Sequence, residues 1–126
     1  MTTERLSRAA LAWRAAHGVI AVGFLLAIGH VWWCALTGRR GPWLRACVLA
    51  LLGEGVLVAA NHGDCPLGPL QQRLDDPVPL FELILPPRAA RLAVPGLGAV
   101  TSGGLLLLRL RGVASQPPAL SQPSRG

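Results

Sequence analysis

Glu54 is the one charged residue in an apolar run that extends from Cys47 to Ala60. A carboxylate at mid-bilayer costs roughly 2.5–3.5 kcal/mol on insertion scales. A chain that keeps one there must fold around it and give it a helical neighbour, a cavity or a ligand. The run sits within a second apolar segment, about residues 43–61, flanked by two others at about 13–36 and 88–110. As a helix, each is long enough to cross roughly 30 Å of hydrocarbon. The pattern predicts an all-α membrane protein with three transmembrane helices.

Composition agrees. Apolar residues make up 52% of the 126-residue chain and charged residues 14%, against about 25% charged in soluble domains. A soluble domain of this size could not bury so much apolar surface, whereas lipid can cover it. The net charge of +6 would point to nucleic acid in a soluble chain. Here every basic residue is Arg, and the Arg residues cluster at the ends of the apolar runs. There they contact headgroups and bias topology, so the implied partner is the lipid bilayer and no nucleic acid. The stretch after Arg5, Arg8 and Arg14 is too long for a signal-peptide core and lacks a small-residue cleavage site. It reads as a retained anchor of a multi-pass protein of the cell membrane.

Residues 1–12 read as an interfacial lead-in and 13–111 as the helical membrane domain. Trp13 and Trp32-Trp33 bracket the first span at the depth of the two aromatic belts. The turn Thr37-Gly-Arg-Arg-Gly-Pro42 is so short that spans one and two must form an antiparallel hairpin. Residues 62–87 form a loop. Within it, 78–85 is too short to span and is interfacial or re-entrant, covered by protein where it enters the membrane. Pro86-Pro87 opens the third span, Pro95 should kink it, and Gly96, Gly98, Gly103 and Gly104 allow close helix contact. The tail, 112–126, has the Ser, Gln and Pro content of a disordered segment. Arg residues nearly balance between the two faces, so orientation stays open.

Cys47, Glu54 and Asn61 are spaced by seven, which at about 100° per residue brings them within about 20° of one another on a helix. They form a polar stripe, and Gly53 and Gly55 beside Glu54 leave room for a neighbouring helix or a ligand. In a hairpin, His17 and His62 lie at similar depth, with Cys65 close behind. The chain thus predicts a polar intramembrane site of Glu54, Asn61, His17, His62 and Cys65. The alternative is that Glu54 is neutral and only bonds one helix, as structural glue. The 62–74 loop should fold back over the hairpin mouth on Leu67, Leu70 and Leu74.

A second reading makes the chain a redox or metal-binding subunit. His17 and His62 could ligate haem from two helices; His62, Asp64 and Cys65 with His17 are zinc-type ligands. No spaced metal motif supports it, so no metal or cofactor is assigned. The Cys count of three gives no disulfide framework. Cys34 and Cys47 either pair on an oxidising face or pack as small apolar residues. Nothing resembles a catalytic triad, a phosphate loop or a dinucleotide fingerprint, and no catalytic residue is assigned.

The loop Cys65-Pro-Leu-Gly-Pro-Leu-Gln-Gln-Arg-Leu74, after a Glu-bearing helix and an early His, resembles a family of small bacterial integral membrane proteins of unknown function. The residues that carry the resemblance are His17, Glu54, Cys65, Pro66, Leu67 and Glu82, over roughly 17–108. Gln71 stands where that family often has Glu. The resemblance implies a helical membrane fold and supplies no activity. The reading is therefore a structural or accessory membrane component, associating with itself or with a larger membrane partner because three helices bury little surface alone.

Overall fold

The computed structural model describes residues 7–114 apart from 75 and 77. It is all-helical over that range. The elements are α1 (Arg8–Thr37), α2 (Pro42–Ala60), α3 (Gly68–Arg73), a 3₁₀ turn (Leu80–Leu83) and α4 (Pro87–Ala114). Three of these, α1, α2 and α4, are long and apolar enough to cross a membrane.

Each boundary has a local cause. Ser7 caps α1 by accepting the Ala10 N–H at 3.1 Å, satisfying one of the orphan donors of the first turn. Gly38 ends α1 in the left-handed region, at φ 73°, and its N–H returns to the Cys34 carbonyl. Pro42 opens α2, where its missing N–H costs nothing. At the other end, His62 takes φ 59° and Gly63 φ 90°, and Gly63 N–H reaches back to Val58 O at 2.8 Å. That six-to-one bond is a Schellman closure with a histidine in the position glycine usually fills.

Two boundaries differ from the sequence reading. Residues 8–12 are the first turns of α1, not a separate lead-in; 1–6 lie outside the described residues. The last helix runs to Ala114, past the expected start of the tail at 112; the remainder of the tail also lies outside. Pro95 is accommodated inside α4. Residues 78–85 contain only the short 3₁₀ turn.

Helices α1 and α2 are joined by four residues and packed together, and α4 lies mainly against α1. The core is small: Val31 and Cys34 of α1 meet Leu44 and Leu51 of α2, with Phe24, Ile28, Cys47 and Leu105 around them. Cys34 and Cys47 both belong to this cluster and both are free thiols. Outside it, large apolar side chains stand exposed on every long helix, among them Val19, Leu26, Trp43, Val56 and Leu92. Such faces are unfavourable in water at about 25 cal/mol per Å² and cost nothing in hydrocarbon.

The expected close contact along α4 is confined to one place. A Cβ on Gly104 would lie 2.9 Å from Trp32 Nε1, and one on Gly103 3.4 Å from Trp32 Cζ2. The Trp32 indole thus lies flat over two glycines, and its N–H donates to Val100 O at 3.0 Å. Gly96 and Gly98 have no such neighbour. At the far end, Arg111 donates to Leu36 O at 2.7 Å, tying α4 to the end of α1.

A candidate site at the mouth of an apolar cavity

Where the loop after α2 folds onto α1, five polar side chains form an unbroken chain. Arg14 of α1 grips Asp76 through both Nε and Nη2. Asp76 is 1% exposed while the Arg14 side chain keeps 21% of its surface open to solvent, so the carboxylate is buried against a guanidinium at the edge of the protein. Gln71 of α3 donates from Nε2 to Asp76 Oδ2 at 3.0 Å and to Val78 O at 2.6 Å. With both amide hydrogens used, its remaining atom, Oε1, is an acceptor, and it meets His17 Nδ1 at 3.2 Å. The other ring nitrogen, His17 Nε2, faces Cys65 Sγ at 3.5 Å. His17 and Gln71 are buried, and every member of the chain is paired, as a buried polar network requires.

Two titrations follow. The Arg14 guanidinium holds the Asp76 carboxyl below the usual carboxylate range against the opposing effect of burial; Gln71 and the Val78 N–H add to it. Burial pushes the Cys65 thiol up, and Glu54 adds to the rise, while the backbone amides of Leu67 and Gly68 act the other way.

Cys65 and His17 line a cavity of about 220 Å³ bounded by α1, α2, α4 and the loop. Its walls are apolar: Ile20, Phe24 and Ile28 from α1, Leu51 and Val58 from α2, Leu97 and Leu105 from α4, and Phe81 from the 3₁₀ turn. These positions recur at three- and four-residue intervals, the spacing that keeps residues on one helical face. Glu54 lines the same cavity, and Thr101 and Ser102 approach from α4.

The sequence-derived site divides. His17, Glu54 and Cys65 come together around the cavity, with Leu67 of the loop motif beside them. Asn61 lies just behind: its side-chain amide donates to the carbonyls of Asp64 and Cys65, both at 3.2 Å, and so fixes the Cys65 backbone. His62 does not join them. It is exposed and spent on the left-handed turn that ends α2. Pro66 helps form the turn into α3, and Glu82 is exposed on the 3₁₀ turn.

Two further expectations are corrected. Glu54 has no hydrogen-bonding or ion-pair partner among the described residues, so it is not bonded as glue to a neighbouring helix. Gly53 and Gly55 meet no atom within 4 Å of a Cβ position, so no helix uses the space they leave. The haem and zinc groupings do not assemble either. His62 and Asp64 are exposed, both nitrogens of His17 are occupied, and no three His, Cys, Asp or Glu side chains among the described residues are arranged to hold a metal.

Arg14, Gln71 and Asp76 escaped the sequence reading. Gln71 was visible there only as a departure from a motif, and Arg14 only as an end-of-span charge. Asp76 stood within the 62–87 loop with no role assigned to it. Their roles depend on a contact between α1 and a loop some sixty positions away, which no local pattern encodes.

No family model, curated protein or solved structure matches the chain.

Proposed function

We propose that this is a cell-membrane protein that holds a single-chain amphiphile, with its hydrocarbon tail in the cavity and its polar end at Glu54, Cys65 and His17. The observation that carries this reading is the cavity itself, lined mainly by apolar side chains with His17, Glu54 and Cys65 among its few polar members. At about 220 Å³ it is smaller than the roughly 300–1,000 Å³ typical of sites for drug-sized ligands. That suits a slender chain and not a macrocycle. In this arrangement α1 and α2 cross the membrane as an antiparallel hairpin, the 3₁₀ turn rests at the interface as a cover, and lipid bathes the outward apolar faces. Of the six residues that carry the resemblance to a small membrane family, His17, Glu54, Cys65 and Leu67 line the cavity, and Pro66 and Glu82 do not.

Glu54 is an acceptor within the cavity and has no hydrogen-bonding partner among the described residues. It is suited to a hydroxyl or amide donor on the ligand head. The test is photocrosslinking of the protein in phosphatidylcholine nanodiscs with a C16 alcohol bearing a mid-chain diazirine. Labelling should concentrate on Phe24, Leu97 and Leu105. Ala21→Trp, which fills the cavity from α1, should abolish it. Glu54→Leu should weaken capture several-fold, since a hydrogen bond is worth about 1 kcal/mol, with little change in thermal stability because no protein partner is orphaned. Equal labelling of Ala21→Trp and the parent would place the probe on the lipid-facing surface and end the proposal.

A further inference from the structure

We infer that Cys65 is a nucleophile, deprotonated by His17, that accepts the acyl group of a long-chain acyl thioester whose chain lies in the cavity. This rests on the amphiphile-binding reading and adds a reaction to it.

The direction of the hydrogen bonds carries the argument. Gln71 spends both Nε2 hydrogens on Asp76 and Val78, so its Oε1 must accept from His17 Nδ1. Nδ1 therefore carries the proton of the neutral ring, and Nε2 is left as a bare acceptor facing Cys65 Sγ at 3.5 Å. Cys65 donates to His17, His17 to Gln71 and Gln71 to Asp76. When the thiol proton moves to Nε2, the imidazolium that forms points its Nδ1–H through Gln71 towards a buried carboxylate. Asp76 is itself fixed by Arg14. A nucleophile, a base and a group that orients the base are the arrangement that activates Cys and Ser in acyl transfer, on unrelated folds. Gln71, Asp76 and Arg14 act here as positioning residues.

The cavity selects the electrophile. Cys65 lines it together with apolar side chains of α1, α2 and α4, which suit a reacting group carried on a hydrocarbon tail. A thioester needs no oxidant or second cofactor. Sγ attacks the carbonyl carbon as its proton passes to His17 Nε2. The carbonyl then re-forms, the bond to the original sulfur breaks, and the departing thiolate takes the proton back from Nε2. The products are S-acyl Cys65 and a free thiol, with no net oxidation.

The chain contains its own comparison. Cys34 Sγ also meets a histidine, His30 Nε2, at 3.6 Å. Those two are one turn apart on α1, no third group orients His30 among the described residues, and Cys34 lies in the packed core and not on the cavity.

The experiment uses the full chain in phosphatidylcholine nanodiscs with a terminal-alkyne C16 acyl-coenzyme A, read by peptide mass spectrometry and hydroxylamine sensitivity. One acyl group is expected on Cys65, with Cys34 and Cys47 unmodified. Cys65→Ser should remove the label, and capture of the diazirine alcohol is read in the parent protein. His17→Asn should slow acylation by about 100-fold, the low end of what a positioned base contributes. The comparison of three cysteines in the parent protein decides without any variant. Capture of the alcohol with no acylation of Cys65, or equal acylation of Cys34 and Cys47, would overturn the nucleophile and leave the binding site standing. Failure of both capture and acylation would remove the two together.

Discussion

His17 and Gln71 are 54 positions apart in the chain, and their side chains meet at 3.2 Å in a buried contact. This one bond joins the first long helix to the short helix of the loop. It also fixes which nitrogen of His17 faces Cys65. The local fold and the chemistry of the site therefore depend on the same atoms.

Removing the amide should loosen the loop. Gln71→Leu leaves His17 Nδ1–H and part of Asp76 without partners, at a cost of roughly 1–3 kcal/mol for a buried unsatisfied group. The melting temperature in detergent should fall accordingly. An unchanged melting temperature would mean that the loop is held by its apolar contacts alone.

Acid should release the same loop, and the sign is fixed. Asp76 has a depressed pKa in the folded protein because of Arg14. Its contribution is complete above the ordinary carboxylate value of about 3.9 and is lost as pH falls through the lower folded value. The protection of the amides of residues 65–74, relative to their intrinsic exchange at each pH, should stay constant from about pH 8 to about pH 5 and fall only below about pH 4. Loosening that begins near neutrality would assign the tether to another group.

The seam between α1 and α4 has a specific weak point. Gly104→Val pushes branched carbon into the Trp32 indole, whose Nε1 already lies 2.9 Å from a Cβ position. Overpacking of this kind costs about 1–3 kcal/mol. Pairing the change with Trp32→Ala should recover much of the loss, because the clash disappears with the ring. A double variant no better than Gly104→Val would show that the glycine serves some other contact.

The proposed arrangement, with α1, α2 and α4 each crossing once, puts the two ends of the chain on opposite sides of the membrane. Reporter fusions at residues 6 and 115 should therefore give opposite signals. Like signals from both ends would require 78–85 to cross as well, which a 3₁₀ turn of four residues cannot do.

The amino-acid sequence by itself determined the class and the span limits. Apolar length, Trp at the belts and Gly-Pro turns are local properties, and they place α1, α2 and α4 within a few residues of where they lie. It also determined that Glu54, His17 and Cys65 were out of place in an apolar chain. Burying them costs enough that they must be organised by something. What organises them was decided only by the tertiary structure. The stripe of Cys47, Glu54 and Asn61 faces protein as its period requires, yet each member does different work: one packs, one lines a cavity, one clamps the loop carbonyls. His62 seemed equivalent to His17 in depth and type, but the backbone needed it in a left-handed turn and left its ring outside. Arg14, Gln71 and Asp76 carry no periodic signal. Hydrogen bonds between distant residues depend on directions and distances that arise only when the loop closes onto α1, and a linear pattern of residue types holds neither.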